Sequence, residues 1–290
     1  MDPLTTAFCD HARASGADLV GIAGIDRFGG LPPQHHPTSI YPEARSVIVL
    51  GRRITRGTLR GVEEGTQFSN YRLYGEDWLD NRFVALTVYR AAEWLEDRGW
   101  EAVPLLALPP EIPPMGVPVR PGSPPPNVLV DVEDAAVRAG LGEIGYARFL
   151  LTPQFGPRQR FQAILTDALL DPDPLFAGPI CDRDPAIHAA FCPLGAIDPA
   201  REETLEICGK EMRVARVDYA LCKTCENGAH ANRYHPAGKP ERLAALCARS
   251  CLAHLEEGSK LINTFQHPFR KRAPWTVVRG QLFAGDPFGR

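Results

Sequence analysis

Seven of the eight cysteines lie between residues 181 and 251, and this segment is the part of the chain best suited to metal chemistry. Thiolates are ligands for both zinc and iron–sulfur clusters. In a reducing compartment, clustered cysteines are more often metal ligands than disulfides. The candidate ligands in this segment are Cys181, Cys192, Cys208, Cys222, Cys225, Cys247 and Cys251.

One group of these cysteines is large enough for a complete cluster. A bacterial iron–sulfur run ends in Cys-Pro, and its last cysteine binds the other cluster of a two-cluster pair. Here Cys192 precedes a proline, and two residues separate Cys222 from Cys225. Cys247 or Cys251 completes a set of four. The pattern predicts one [4Fe–4S] cluster, although a structural zinc ion would be satisfied by the same count.

The run that leads to the Cys-Pro step lacks cysteines that the pattern expects. It begins at Cys181, but its second position is Asp184 and its third is Ile187 or His188. Three alternatives are open. The second cluster is absent, or Asp184 and His188 act as ligands beside Cys181 and Cys251, as histidine does in Rieske centres. In the third alternative, the site holds a single metal ion such as zinc. Cys208 fits neither group and is predicted to be a packing residue.

The composition is that of an ordinary globular protein. Of the 290 residues, 44% are apolar and 23% are charged, and the net charge is −3, which gives no reason to expect nucleic acid or an anionic membrane as a partner. No run of eighteen apolar residues occurs, and the first 24 residues lack a basic stretch followed by an apolar core. The sequence therefore predicts a cytoplasmic protein that has no membrane partner.

Predicted helices and strands alternate, which indicates an α/β or α+β architecture. Residues 45–51 and 127–131 are predicted strands, and the helix before Gly99 is predicted to be capped by Asp80 or Asn81. Residues 104–126 contain ten prolines and are predicted to form an ordered crossover that walls a pocket. The basic, aromatic tail at 263–290 is a poor helix or strand former. Three possibilities are open for it: it lies over the cysteine-rich segment, mediates self-association or is mobile.

A glycine-rich turn follows the strand that ends at Asp131. Gly140, Gly142 and Gly145 match the letters of a dinucleotide fingerprint, but that motif needs a strand before it and a helix after it. Here a predicted helix precedes the turn and a strand follows, so a nucleotide site is disfavoured. Close approach of the backbone to another bulky ligand is open.

The order of these parts resembles that of the epoxyqueuosine reductase family, which is allied to the reductive dehalogenases. The resemblance runs from Val130-Asp131 through the glycine turn, Phe155-Gly156 and Ile164–Asp167 to the Cys-Pro step. It implies a nitroreductase-like α/β domain at residues 1–175 that holds a corrinoid. A ferredoxin-like iron–sulfur module with two [4Fe–4S] clusters would follow at 176–262, and the clusters would pass single electrons to cobalt.

The resemblance also implies roles for individual residues. Asp131 matches the acid that the family uses as a proton donor, although a strand-end acid can instead cap the following helix. The implied cofactor contacts are Gly140, Gly142 and Gly145 in the glycine turn, and Tyr71, Arg72 and Tyr74 upstream of it.

The sequence thus predicts an iron–sulfur oxidoreductase in which a [4Fe–4S] cluster reduces a cofactor, with cobalamin favoured over FMN. The predicted substrate is a small molecule or a modified nucleoside, and the predicted electron donor is a ferredoxin or flavodoxin. Epoxyqueuosine itself is disfavoured because the first cluster run is altered. The alternative is a non-catalytic corrinoid- or metal-binding protein that kept the pocket and lost the electron path.

Overall fold

A four-stranded sheet lies at the centre of the first half of the chain in the computed structural model, which describes residues 2–284. The strands of the protein are β1 (Leu19–Gly24), β2 (Ser46–Arg53), β3 (Ala102–Leu105), β4 (Glu143–Ile144), β5 (Leu150–Leu151), β6 (Gln159–Thr166), β7 (Ile197–Ile207), β8 (Lys210–Val217), β9 (Trp275–Val278) and β10 (Gln281–Ala284). The central sheet has the order β1-β2-β6-β3, and every pairing in it is antiparallel. Mixed helix and strand content is therefore confirmed, in its α+β form.

Helices cover both faces of this sheet. The α-helices are α1 (Pro3–Ala14), α2 (Arg60–Glu63), α3 (Ala85–Glu96), α4 (Val132–Arg138), α5 (Pro185–Ala190), α6 (Tyr219–Cys222) and α7 (Leu246–Glu257). Short 3-10 helices occupy Ile25–Phe28, Pro33–His35, Pro37–Ser39 and Arg56–Leu59. No helix in the described part of the chain is both long and apolar enough to cross a membrane.

Alternate side chains of β2 pack into two separate cores. Ile48 and Leu50 join the core formed with α1 and α3, whereas Val47 and Val49 join the core formed with α4. Because both faces of the strand are covered, its sequence is a continuous apolar run and not an apolar–polar alternation. This is why the run was recognisable as a buried strand.

The helix that leads into α3 begins earlier than the sequence predicted. Two π-helical segments, Tyr71–Asp77 and Leu79–Val84, run into α3, and no side chain caps α3. The prediction that Asp80 or Asn81 caps this helix is therefore wrong, since Asp80 lies inside the second π-helical segment. A π-turn has a longer repeat than the α-helix, so the apolar period that marks α3 is lost upstream of it.

The cysteine-rich segment shares a core with the first half of the chain. The core that contains Phe8 and Tyr71 also contains Cys181, Cys247 and Leu252. This segment contains the β7–β8 hairpin and the first half of α7, and nine residues of α7 are buried. The predicted domain boundaries at 175 and 262 stay a prediction.

The C-terminal tail is ordered over its described part. Strands β9 and β10 form a hairpin, so the prediction of a poor strand former is wrong for these residues. The Nε1 of Trp275 donates to Val62 O at 2.7 Å, and the Asn227 side chain exchanges two hydrogen bonds with the backbone of Val277. The hairpin thereby joins α2 to the cysteine-rich segment. Residues 285–290 of the predicted tail lie outside the described residues.

Candidate metal and redox site

Four cysteines from separate elements gather on one side of the cysteine-rich segment. Cys192 follows α5, Cys222 ends α6, Cys225 lies in the next turn, and Cys247 is in the first turn of α7. Burial, together with the thiols of Cys192, Cys222 and Cys225, raises the pKa of Cys247 to about 12. All eight cysteines are free thiols, so this group is available to bind a metal centre.

As placed in the structure, these four thiols do not form a compact set of donors for a single ion. A tetrahedral zinc site has Zn–S bonds of about 2.3 Å, which brings its donor atoms to within about 4 Å of one another. Among the described residues, one set of three or more candidate donors lies within 4.8 Å, and it contains none of the four thiols. In a [4Fe–4S] cluster each thiolate binds a different iron, which allows a wider spacing. The arrangement favours a cluster over zinc.

Backbone N–H groups point at two of the sulfurs. Ala196 N donates to Cys192 Sγ at 3.3 Å, and Asn227 N donates to Cys225 Sγ at the same distance. Hydrogen bonds to ligand sulfurs stabilise the thiolate form and help to set the reduction potential of a cluster. The turns around these two cysteines are therefore built to hold thiolates.

A buried arginine places a positive charge beside the same thiols. Arg242 is 6% exposed and lies over the Phe149 ring, with its guanidinium carbon 4.4 Å from the ring centroid. Its charge opposes the burial that raises the pKa of Cys222 and Cys247. A cluster with four thiolates carries net negative charge, and Arg242 offsets part of it. The residues present thus fit a [4Fe–4S] cluster.

A second group of donors surrounds His188. Its Nε2 lies 3.2 Å from Cys181 Sγ and 3.4 Å from an oxygen of Asp182, and the donor atoms of these three residues lie within 4.8 Å of one another. The Cys251 thiol is near enough to interact with both Cys181 and Asp182. The sequence does not point to Asp182 as a ligand, because no cluster pattern contains a ligand at the position after the first cysteine.

Asp184 does not join this group. Its side chain caps α5 by accepting hydrogen bonds from Ala186 N at 2.8 Å and Ile187 N at 3.3 Å. Ile187 has no donor atom in its side chain. Of the two substitute ligands considered for the altered run, the structure therefore brings His188 to Cys181 and leaves Asp184 in a structural role.

A charged cavity lies between the π-helical segments, strand β6 and residues 232–243. It has a volume of about 210 Å³, and nine of its lining residues are acidic or basic: Glu76, Asp80, Glu111, Asp131, Glu133, Arg160, Arg233, Lys239 and Glu241. Arg160 Nη1 lies 2.8 Å from a carboxylate oxygen of Glu241, and the Tyr71 hydroxyl donates to the other oxygen at 2.8 Å. π-Helical turns are frequent at functional sites, and here they supply Glu76 and Asp80.

Two acids in this cavity have opposite pKa shifts. Burial raises the pKa of Asp80 to about 6, because its contacts with Arg160 and Arg233, at 3.8 Å or more, are too long to compensate. Burial acts in the same direction on Glu241, but the close contact with Arg160 outweighs it and lowers that pKa to about 2. A pair of acids whose environments separate their pKa values can divide proton donation from charge pairing.

The raised pKa of Asp80 predicts a pH-dependent gain from the substitution Asp80→Asn. The folded state binds this proton more tightly than the unfolded state, so the wild type loses stability as pH rises from the unfolded value of 3.8 through about 6. We expect the variant to have an unfolding free energy about 3 kcal/mol above that of the wild type at pH 8. The difference should vanish below pH 4, where the wild-type acid is also neutral.

Chemical denaturation of both proteins at pH 4, 6 and 8 would measure this difference. Asp77→Asn in the preceding π-helical segment is the control, because that side chain is half exposed. A stability difference that is the same at every pH would contradict a raised pKa at Asp80.

Asp131 lies where both of its predicted roles are available. It caps α4 through one carboxylate oxygen, which accepts from Glu133 N at 2.9 Å and Asp134 N at 3.2 Å. The residue also lines the charged cavity and a neighbouring cavity of about 230 Å³ whose wall includes His35 and Pro110. Pro110 belongs to the Pro-rich crossover, which therefore does wall these cavities. The catalytic role of Asp131 stays a prediction.

The other predicted cofactor contacts do not converge on one space. Tyr71 is buried against Glu241, Arg72 is exposed and lies 3.5 Å from Glu76, and Tyr74 is half exposed with its ring 5.1 Å from that of Trp78. All three belong to one π-helical segment but point in different directions. Tyr71 and Arg72 each contact a lining residue of the charged cavity, and none of the three lines the cavity itself.

The glycine turn packs against the chain itself. A Cβ atom at Gly140 would lie 2.2 Å from Pro174 O, and one at Gly142 would lie 1.9 Å from Leu151 O. At Gly145 the contact would be with the Leu151 side chain at 2.7 Å. Close backbone packing accounts for all three glycines, and a role in cofactor binding stays a prediction for them.

Several cavity residues could not be identified from the sequence. Arg160 and Glu241 are 81 positions apart in the sequence and meet only because β6 runs beneath the segment that carries Glu241. The four-residue spacing of Glu76 and Asp80 is present in the sequence. Such spacing places two acids on one face of a helix, which is usually exposed to solvent. Only tertiary packing buries the helix face that carries these two acids.

Comparison with solved structures finds two related groups of reductases. A catabolic reductive dehalogenase, NpRdhA, matches 98% of this chain at 18% identity with a TM-score of 0.48, and the match covers 40% of that protein. An epoxyqueuosine reductase from Streptococcus thermophilus matches 78% of this chain at 14% identity with a TM-score of 0.48, over 58% of its own length. An epoxyqueuosine reductase bound to an epoxyqueuosine-modified tRNA stem loop matches 89% at 13% identity with a TM-score of 0.44, over 83% of its length.

These comparisons confirm the predicted resemblance as one of fold. No family model matches the chain, and no curated protein matches it. The chain spans about two fifths of the length of the reductive dehalogenase and three fifths of the length of the Streptococcus enzyme. At these identities the likeness defines a divergent chain with a reductase-like fold and does not define its reaction.

Proposed function

We propose that this protein is an iron–sulfur oxidoreductase with one [4Fe–4S] cluster. The observation that carries the proposal is the group formed by Cys192, Cys222, Cys225 and Cys247. No three of its sulfurs lie within 4.8 Å of one another, two of them accept backbone N–H groups, and the buried Arg242 guanidinium lies beside them. Such a cluster supplies one-electron transfer.

The cluster site and the charged cavity are connected by adjacent residues. Glu241 faces the cavity, where it pairs with Arg160, and the next residue, Arg242, faces the thiols. Two of the four cysteines, Cys192 and Cys225, are only partly buried, which gives an external donor a short path to the site. We propose that a ferredoxin or flavodoxin delivers electrons there and that reduction occurs at the cavity.

The cavity can supply a proton to a reduction. Asp80 has a pKa of about 6, so a fraction of its side chains is protonated near neutral pH. Arg160 and Arg233 lie beside it and can neutralise negative charge that develops on a substrate. We propose Asp80, and secondarily Asp131, as proton donors to a small-molecule substrate.

The cavity does not fit a corrinoid. Pockets for drug-sized ligands have volumes of about 300–1,000 Å³, and a corrinoid is larger than such ligands. The charged cavity has about 210 Å³, and the Arg160 and Glu241 side chains that line it are already paired with each other. One of the similar structures is a reductive dehalogenase with B12-dependent dehalogenation, and no step of this proposal involves cobalamin.

A non-catalytic metal-binding protein is the second candidate. The small cavity favours it, because electrons from the cluster would have no resident cofactor to receive them. Metal content and reducibility separate the two functions. In anaerobically purified protein, about four iron and four sulfide per chain, with a dithionite-dependent loss of visible absorbance and a new electron paramagnetic resonance signal, would support the oxidoreductase. Iron and sulfide that cannot be reduced would support the second candidate, and zinc without sulfide would contradict the cluster.

The substitution Arg242→Gln should lower the reduction potential of the cluster. Reduction adds negative charge, and the buried Arg242 guanidinium stabilises that charge. We expect a decrease of tens of millivolts, where about 59 mV corresponds to a tenfold change in a one-electron equilibrium. Arg242→Lys is the matched control because it keeps the charge. Equal potentials in the two variants, measured by redox titration, would show that the charge of Arg242 does not act on the cluster.

A further inference from the structure

The donors around His188 converge on a single point. Cys181 Sγ and an Asp182 oxygen both approach the same ring nitrogen, Nε2, at 3.2 and 3.4 Å. In a catalytic triad the nucleophile and the acid occupy different nitrogens of the imidazole, because the ring relays a proton between them. A shared metal ion instead requires its ligand atoms to lie close together around one point, as these donor atoms do.

The loop that carries Cys181 is held rigidly in place by Glu143. This buried carboxylate accepts hydrogen bonds from Ile180 N at 3.0 Å and Cys181 N at 2.9 Å, and it is paired with Arg183 at 3.2 Å. Tyr146 N in turn donates to Cys181 Sγ at 3.4 Å. A preorganised sulfur that receives an N–H group is suited to the thiolate form, which a bound cation would stabilise.

The ring of His188 is also fixed. It is 2% exposed, stacks on Tyr146 with ring centroids 5.2 Å apart, and contacts the edge of Phe191 at 5.5 Å. Its Nδ1 has no hydrogen-bond partner among the described residues. His254 contacts the second oxygen of Asp182 at 2.5 Å, which orients that carboxylate. Ligand orientation by such outer contacts is characteristic of metal sites.

The donor set does not suit a second iron–sulfur cluster. Clusters of this type are held by thiolates, with histidine as the known replacement, and this group offers two thiols, one imidazole and one carboxylate. The short distances fit a single ion of the size of zinc, which accepts sulfur, nitrogen and oxygen ligands in a tetrahedron. Cys251 is the remaining thiol in reach and lies on α7, one turn after Cys247.

We propose that Cys181, Asp182 and His188 bind one zinc ion and that the Cys251 thiol, which lies outside this set of three, turns towards the ion to complete its coordination. The site joins the loop after β6 to α5 and α7, and its ligands other than Asp182 are buried. Zinc has no redox chemistry, so this position fixes the fold around the cysteine-rich segment and carries no electrons. The inference is independent of the cluster at the other four cysteines.

Metal analysis of matched variants tests the proposal. We expect the wild type, expressed with zinc in the medium, to contain about one zinc per chain, with an X-ray absorption edge fitted by two sulfurs at about 2.3 Å and two lighter ligands. Cys181→Ser and His188→Ala should each lose this zinc and keep the iron and sulfide of the wild type. Cys208→Ser is the control, because Cys208 lies in the β7–β8 turn, where it donates to Arg27 O, and should keep its zinc.

Other outcomes would overturn the assignment. About eight iron and eight sulfide per chain would mean that the group holds a second cluster. Zinc that is lost on Cys222→Ser but not on Cys181→Ser would place the ion at the other cysteines, and that result would also contradict the proposed cluster. Wild type with no zinc and unchanged iron would leave the group without a metal. Asp182→Asn, a substitution at a partly exposed side chain, provides a folded variant in which zinc affinity should fall without complete loss.

Discussion

Replacing Cys222 with serine should remove essentially all iron and sulfide, which we expect at about four of each per chain in the wild type. Cys222 is buried in a group of four thiols. A serine hydroxyl at this buried position is a poorer ligand for iron than the cysteine thiolate. Three remaining thiolates cannot complete the coordination of four irons. Iron and acid-labile sulfide assays on anaerobically purified protein, with visible spectra, would measure the loss.

Two further cysteine variants sharpen this prediction. The sequence alone left open whether Cys247 or Cys251 belongs to the cluster. In the structure, Cys247 interacts with Cys192, Cys222 and Cys225, whereas Cys251 interacts with Cys181, Cys247 and Asp182 and with none of those three thiols. Cys247→Ser should therefore lose the iron and Cys251→Ser should keep it. The reverse pattern, or full iron content in Cys222→Ser, would contradict the proposed ligand set.

The substitution Glu63→Ala should destabilise the protein by about 3–5 kcal/mol, the usual cost of removing one partner from a buried ion pair. Glu63 is 6% exposed and is paired with Arg249, which is fully buried, and with Arg270 at 2.7 Å. Within residues 2–284, Arg249 and Arg270 form ion pairs with no other carboxylate, so both cations would lose their partner. Because Arg249 lies between Cys247 and Cys251 on α7, the same variant should also hold its iron less tightly. Denaturant unfolding and the rate of iron loss to a chelator would measure both effects.

Glu64→Ala is the matched control for Glu63→Ala. Glu64 is the next residue and also pairs with arginines, Arg60 at 3.0 Å and the largely exposed Arg272. Partly exposed pairs contribute about 0–1 kcal/mol, so this variant should be close to the wild type in stability and in iron retention. Similar losses in the two variants would mean that the burial of Glu63 is not what matters.

Local patterns in the sequence were reliable where one element accounts for the pattern. The apolar run at residues 45–51 became β2, because a strand covered on both faces has no polar positions. The capping signals were less reliable. Asp184 stands where the cluster pattern expects a cysteine, but it caps α5. Asp80 stands at a predicted capping position, but it lies inside a π-helical segment. An aspartate near the start of a helix can cap that helix or serve another role, and the sequence does not distinguish these possibilities.

The sequence by itself determined which residues could bind metal and the order of the parts that carry them. Cysteine identity and spacing fixed a complete set of four and an incomplete run, since thiolate chemistry belongs to the residue type. Only the tertiary structure decided how the remaining donors are shared. It paired Cys251 with Cys181 and brought Asp182 and His188 to one point. It also closed the charged cavity with Arg160 and Glu241, which come from distant segments. The physical reason is that coordination and burial depend on distances in space, and packing sets those distances between segments that the sequence keeps apart.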